Sequence, residues 1–107
     1  MTRMFIKAAA AAALFALGVL AAWGQTDPKD LYLDKCASCH GADGAGKTAK
    51  GKKLNVRPVK EAAAKSSAAD MEKTVENGKG VDMPAYGKEL SKEQIKGIVE
   101  YYRSLAK

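Results

Sequence analysis

The sequence predicts an all-α protein of three to four helices. Three observations carry that expectation. The closing segment "LSKEQIKGIVEYYRSLAK" places Ile95, Ile98, Val99, Tyr102 and Leu105 at helical spacing. Helix-start residues recur along the chain, at Asp27-Pro28, Ser67 and Ser91. No run of β-branched residues reads as a strand.

The first 24 residues are expected to be a secretory signal. "MTRMFIK" carries Arg3 and Lys7 without an acid, and an uncharged run follows from Ala8 to Ala22. A small-residue exit at Ala22 and Gly24 completes the three-part pattern of basic start, apolar centre and cleavage site. A retained anchor is the alternative, but that run falls short of the roughly 20 residues that span a bilayer. Cleavage is expected between Gly24 and Gln25; a cut after Ala22 would leave Trp23 on the chain. The mature protein, 25–107, is then one domain without stable membrane insertion.

Losing Arg3 and Lys7 lowers the formal net charge from +6 to +4. Both phenylalanines, Phe5 and Phe15, leave with the signal. Only 12 Leu, Ile and Val residues remain in 83 positions, a composition too poor in apolar residues to fill a core unaided. Small scaffolds of this kind are stabilised by disulfides, metals or cofactors.

Asp27-Pro28 opens the first helix, with Asp as N-cap, Pro in the first turn and Asp30 at the third helical position. Leu31, Tyr32 and Lys35-Cys36 bring an apolar stripe and the first cysteine to nearby faces. The stretch "KCASCHGADG" then holds both cysteines and the single histidine of the chain. Cys36-Ala-Ser-Cys39-His40 is a C-x-x-C-H sequence, the attachment signature of c-type haem. Two thiols on adjacent helical turns reach the two porphyrin vinyl groups, and the histidine that follows supplies the proximal iron ligand. A thioredoxin-like dithiol would want a β-α-β context, which no strand run before Lys35 provides. A zinc site needs about four ligands, and the motif offers three with no other Cys or His in the chain.

Gly41, Gly44 and Gly46 end the helix, and the lysine- and glycine-rich stretch from Lys47 to Arg57 reads as irregular loop. "PVKEAAAK" forms a short helix after Pro58. In "SAADMEKTVENG", Ser67 caps, Met71 and Val75 share a face, and Gly78 ends the helix at an αL position. The terminal helix starts on a capping box of Ser91 with Gln94 and a staple of Leu90 with Ile95.

From Asp27 onward the chain resembles a small monohaem class I cytochrome c of the bacterial periplasmic type. The resemblance rests on "LYLDKCASCHGADGAGK", "NGKGVDMPAYG" and "LSKEQIKGIVEYYRSL". It implies a compact fold around one haem c bound covalently through Cys36 and Cys39. It also implies that the terminal helix crosses the first, near Tyr32 and Tyr101 or Tyr102. The family usually places a small residue where Pro28 stands, and Gly97 on the facing helix is the candidate for supplying the clearance.

With one histidine, bis-histidine ligation within the chain is excluded. The resemblance implies Met83 as the distal ligand, in a loop between Gly80 and Gly87 that Pro84 stiffens. Met71, on the apolar face of a capped helix, reads as ordinary packing. The family commonly uses a proline carbonyl to accept the second imidazole proton. Pro58 is the candidate, alongside another carbonyl of the lysine-rich loop. Arg57 and Tyr86 are candidates for the haem propionates.

Closing both axial positions with His40 and Met83 leaves one-electron transfer rather than enzyme turnover. A peroxidase would want a distal general base, and the chain has no second histidine. A ligand sensor in which Met83 dissociates, and a subunit docked in a larger redox complex, are the competing readings. Lys47, Lys50, Lys52 and Lys53 form either a solvated loop or a patch that docks acidic redox partners. Nucleic acid is a poor fit, because the basic residues are not interleaved with aromatics. The expected protein is a monomeric periplasmic carrier.

Overall fold

The computed structural model describes residues 26–107. The segment expected to be a secretory signal, 1–24, lies outside the described residues. Six helical segments follow in order: α1 (Pro28–Lys35), α2 (Ala37–His40), α3 (Ala49–Lys53), α4 (Val59–Lys65), α5 (Ala68–Asn77) and α6 (Lys92–Ser104). The first helix expected from the sequence, running through the haem motif to Gly41, is broken at Cys36 into α1 and α2; the other expected helices are α4, α5 and α6, and α3 is a further single turn. Among the described residues the only β-type pairing is an isolated antiparallel bridge between Lys79 and Met83. No helix among them is long and apolar enough to cross a membrane.

The caps fall where the side chains require. The Asp27 carboxylate accepts from the Lys29 amide at 2.8 Å, and Ser67 Oγ accepts from the Asp70 amide at 3.1 Å. Ser91 and Gln94 form the full reciprocal box, at 3.1 and 2.8 Å. Each bond satisfies an amide that the first helical turn leaves without a partner. Leu90 and Ile95, the expected staple, are both buried.

Two readings of the sequence need correction. The stretch from Lys47 to Arg57 is not wholly irregular, because α3 sits inside it. Thr48 makes that turn possible: its Oγ1 accepts from the Gly51 amide at 2.9 Å and donates to the Ser38 carbonyl at 2.7 Å. The sequence there has no apolar period, so its helical turn depends on contact with α2. Gly78 does end α5, but at φ 79° and ψ 177° rather than in the αL well.

α6 is the hub, packing against α1, α5 and α4. The main core cluster joins Leu31, Met71, Val75, Leu90, Ile95, Ile98 and Val99. Met71 is therefore a core residue, as its helical position implied. At the α1–α6 crossing, a Cβ on Gly97 would lie 2.9 Å from Pro28 Cγ and 3.4 Å from its Cβ. The glycine supplies the clearance that the proline removes. Gly97→Ala gains about 1 kcal/mol of helix propensity but loses ~2 kcal/mol to overpacking against a rigid ring. We expect a lower urea midpoint for G97A and recovery in P28A/G97A. A G97A protein more stable than the native one would show that the helices do not approach this closely.

Candidate haem-binding site

The site is built on the joint between α1 and α2. The Cys36 amide closes α1 on the Tyr32 carbonyl at 2.9 Å, while the Cys36 carbonyl accepts from His40 at 3.0 Å. One residue thus ends one helix and opens the next. Gly41, at φ 87°, stops α2 directly after His40, in a conformation that a side chain would strain. The chain then folds back, with the Gly46 amide donating to the His40 carbonyl at 2.8 Å.

Cys36 and Cys39 are half-buried and unbridged. Burial pushes the Cys36 thiol up to about 11, against the opposing charge of Lys35. A redox dithiol works through a thiol pKa held low, so this environment disfavours the thioredoxin-like alternative. For zinc, no three His, Cys, Asp or Glu side chains converge among the described residues.

His40 packs against one aromatic ring that others back. Its centroid lies 5.3 Å from that of Tyr102, edge to face at 73°. Tyr32 backs Tyr102 at 5.9 Å in a stacked arrangement and meets Tyr101 at 5.4 Å. Tyr32 is itself anchored, its hydroxyl donating to the Gly41 carbonyl at 2.5 Å. Burial lowers the His40 pKa, which favours the neutral imidazole that a metal requires. His40 Nδ1 is the one buried side-chain nitrogen or oxygen without a hydrogen-bond partner among the described residues. An imidazole whose Nδ1 is enclosed by protein can ligate only through Nε2.

Met83 lies far along the chain but borders the same core cluster as Cys36, Tyr86 and Tyr102. It is half-buried. Its loop is pinned from behind: Lys79 and Met83 exchange backbone bonds at 3.0 and 3.3 Å. A Cβ on Gly78 would lie 2.7 Å from the Met83 carbonyl oxygen.

Arg57 and Pro58 stand at the entry to α4. Arg57 is exposed, its Nε 4.0 Å from the Glu61 carboxylate. The Pro58 carbonyl accepts from the Glu61 amide at 3.1 Å and the Ala62 amide at 3.0 Å, while the first amide of α4, Val59, donates to the Gly44 carbonyl at 2.8 Å. The Tyr86 hydroxyl donates to the Lys35 carbonyl at 3.3 Å. The supporting role of Tyr32 and Tyr102 toward His40 was missed in the sequence, where they marked only a helix crossing. The signal was there in part, since Tyr32, Cys36 and His40 recur every fourth residue.

The residues present fit a c-type haem. Two thiols flank one helical joint, a neutral imidazole follows them with Nδ1 enclosed, and a thioether borders the same apolar cluster. This helical fold with a single C-x-x-C-H motif defines a small class I cytochrome c, an electron-transfer haem protein. The particular family follows from comparison. A family model described as cytochrome c oxidase, cbb3-type, subunit III matches residues 24–101, and the chain belongs to that family. The cbb3-type cytochrome c oxidase subunit CcoP of Azospirillum brasilense is 30% identical over 79 residues, which are 72% of this chain. The match spans only 27% of that subunit's length. The solved c-type cytochrome KustC0563 aligns at a TM-score of 0.70 and 31% identity, over 77% of this chain and all of the other.

Proposed function

We propose that the protein is exported by residues 1–24 and that 25–107 form a monomeric periplasmic one-electron carrier. One haem c is held per chain, through Cys36 and Cys39, with His40 and Met83 as axial ligands. The bound haem supplies a one-electron couple whose potential His/Met ligation raises. The observation that carries this reading is the enclosed, neutral His40, with Met83 bordering the same cluster as Cys36.

Each residue has a part in that reading. Cys36 and Cys39 fix the ring covalently. Tyr102 and Tyr32 hold the imidazole plane, and the Met83 thioether closes the sixth position against other ligands. The exposed lysines 47, 50, 52 and 53 lie on and beside α3, which packs on α2. They support docking to acidic redox partners, with an encounter rate that falls as salt rises.

The deciding experiment is the absorption spectrum of the holoprotein, ferric and ferrous, with carbon monoxide added to the reduced form. We expect a low-spin spectrum with the far-red methionine–iron band, unmoved by carbon monoxide. Met83→Ala should abolish that band and admit carbon monoxide. A native protein that binds carbon monoxide readily would instead be a ligand sensor or an enzyme. The family match to an oxidase subunit favours one second reading, a carrier that stays docked in a larger complex. Gel filtration of native extract separates the two by size.

A further inference from the structure

We propose that Lys35, Tyr86 and Glu89 form a latch that ties the Met83 loop to the cysteine-bearing helix and sets how readily Met83 leaves the sixth position. The inference rests on the ligation reading above and goes beyond it by naming what holds the distal loop shut.

The latch begins with a free carbonyl. The turn at Cys36 diverts the Cys39 amide to the Cys36 carbonyl at 3.3 Å. Lys35 O therefore lacks the amide four residues ahead that a continuous helix would supply. The Tyr86 hydroxyl takes that place, at 3.3 Å, across 51 residues of sequence. The Lys35 side chain adds a second tie, its Nζ 2.6 Å from Glu89 Oε1. Lys35 also lies 3.9 Å from Asp34, but that neighbour is on its own helix and joins nothing distant.

Tyr86 and Glu89 belong to one rigid turn. The Tyr86 carbonyl accepts from Glu89 at 3.1 Å and from Leu90 at 2.9 Å, and Leu90 is buried in the core. The Tyr86 amide donates to the Val75 carbonyl at the end of α5, at 2.9 Å. Met83 is thus strung between the Lys79 bridge behind it and the Tyr86–Glu89 turn ahead. The intervening tip is loose by comparison, with Val81 fully exposed. For the Met83 side chain to withdraw, the loop must move as a unit, and the turn ahead of it yields only when the bonds to Lys35 break. Lys35 sits next to Cys36, so the latch fastens the distal loop to the backbone that carries the haem attachment.

The test is displacement of the sixth ligand by imidazole in the ferric holoprotein, followed through the far-red band. Tyr86→Phe keeps the ring and removes the hydroxyl; we expect imidazole to bind about fivefold more tightly, as for one lost hydrogen bond. Glu89→Gln should tighten it about threefold at low ionic strength, with the difference shrinking in 1 M salt as screening weakens the native ion pair. Lys65→Gln, which breaks the remote Lys65–Glu61 pair at 3.1 Å, should leave imidazole affinity unchanged. A general loss of stability would move all three variants together with their urea midpoints. If Y86F and E89Q keep the native imidazole affinity while the far-red band is intact, the latch is wrong and the ligation reading stands. If the native protein lacks the band, the ligation reading fails and takes the latch with it.

Discussion

Without haem, the chain is expected to lose its fold. A Cys36→Ala/Cys39→Ala double variant purified without cofactor should show little helicity and no cooperative thermal transition. Among the described residues the buried apolar side chains are only nine: Leu31, Tyr32, Val59, Met71, Val75, Leu90, Ile95, Ile98 and Val99. They all lie on α1, α4, α5 and α6, except Leu90, two residues before α6. Neither α2 nor the connection through α3 contributes a hydrophobic side chain to that set. The segment carrying the motif is therefore held by backbone bonds, by the Thr48 hydroxyl, by Cys36 at the edge of the core and by the Tyr32–Tyr102–His40 rings. For a small domain, a covalent apolar cofactor is the natural source of the missing contact. A cofactor-free double variant that melts cooperatively with native helix content would show that the core suffices by itself.

The second large effect is expected at Gly51. This buried glycine on α3 faces the haem motif so closely that a Cβ would collide with the Cys39 carbonyl oxygen. The same Cβ would lie 2.7 Å from the Gly46 carbonyl oxygen. Both obstacles are backbone, and neither can swing aside. Gly51→Ala must therefore push α3 away from α2, breaking the Thr48 bonds that join them. We expect a loss of ~3 kcal/mol, the upper range for overpacking, which for a domain of this size lowers Tm by roughly 15 °C. Gly80→Ala is the informative contrast. A Cβ there meets nothing within 4 Å, although φ is 59°, so the cost is the backbone strain alone, ~1 kcal/mol. Equal losses for the two variants would remove the close approach as the explanation. A displaced α3 would also shift the far-red band of the holoprotein.

These two expectations have different origins in the chain. The first was legible in the sequence, because 12 Leu, Ile and Val residues in 83 positions cannot fill a core and the motif names what does. The second was not, since "TAKGKK" shows no apolar period and gives no hint that Gly51 lies against Cys39. The same division holds elsewhere. Asp27, Ser67 and Ser91 announced their helices because an N-cap acts on an amide two or three residues away. The C-x-x-C-H motif announced its cofactor because all three groups fall within five residues.

What the sequence by itself determined, then, is everything set by contacts within a turn or two of helix: the caps, the terminal amphipathic stripe, the haem motif and the family resemblance. What only the tertiary structure decided depends on residues far apart meeting. It placed Tyr102 against His40, Gly97 against Pro28, and Tyr86 and Glu89 on Lys35, across separations of 62, 69, 51 and 54 residues. It also set Pro58 as the N-cap of α4 and Arg57 within 4.0 Å of Glu61. The physical reason is that local pattern fixes which face of a helix is apolar, while the packing of α6 on α1 and α5 fixes which polar groups end up opposite one another. No single segment encodes that pairing, because each partner's position is set by the packing of the elements between them.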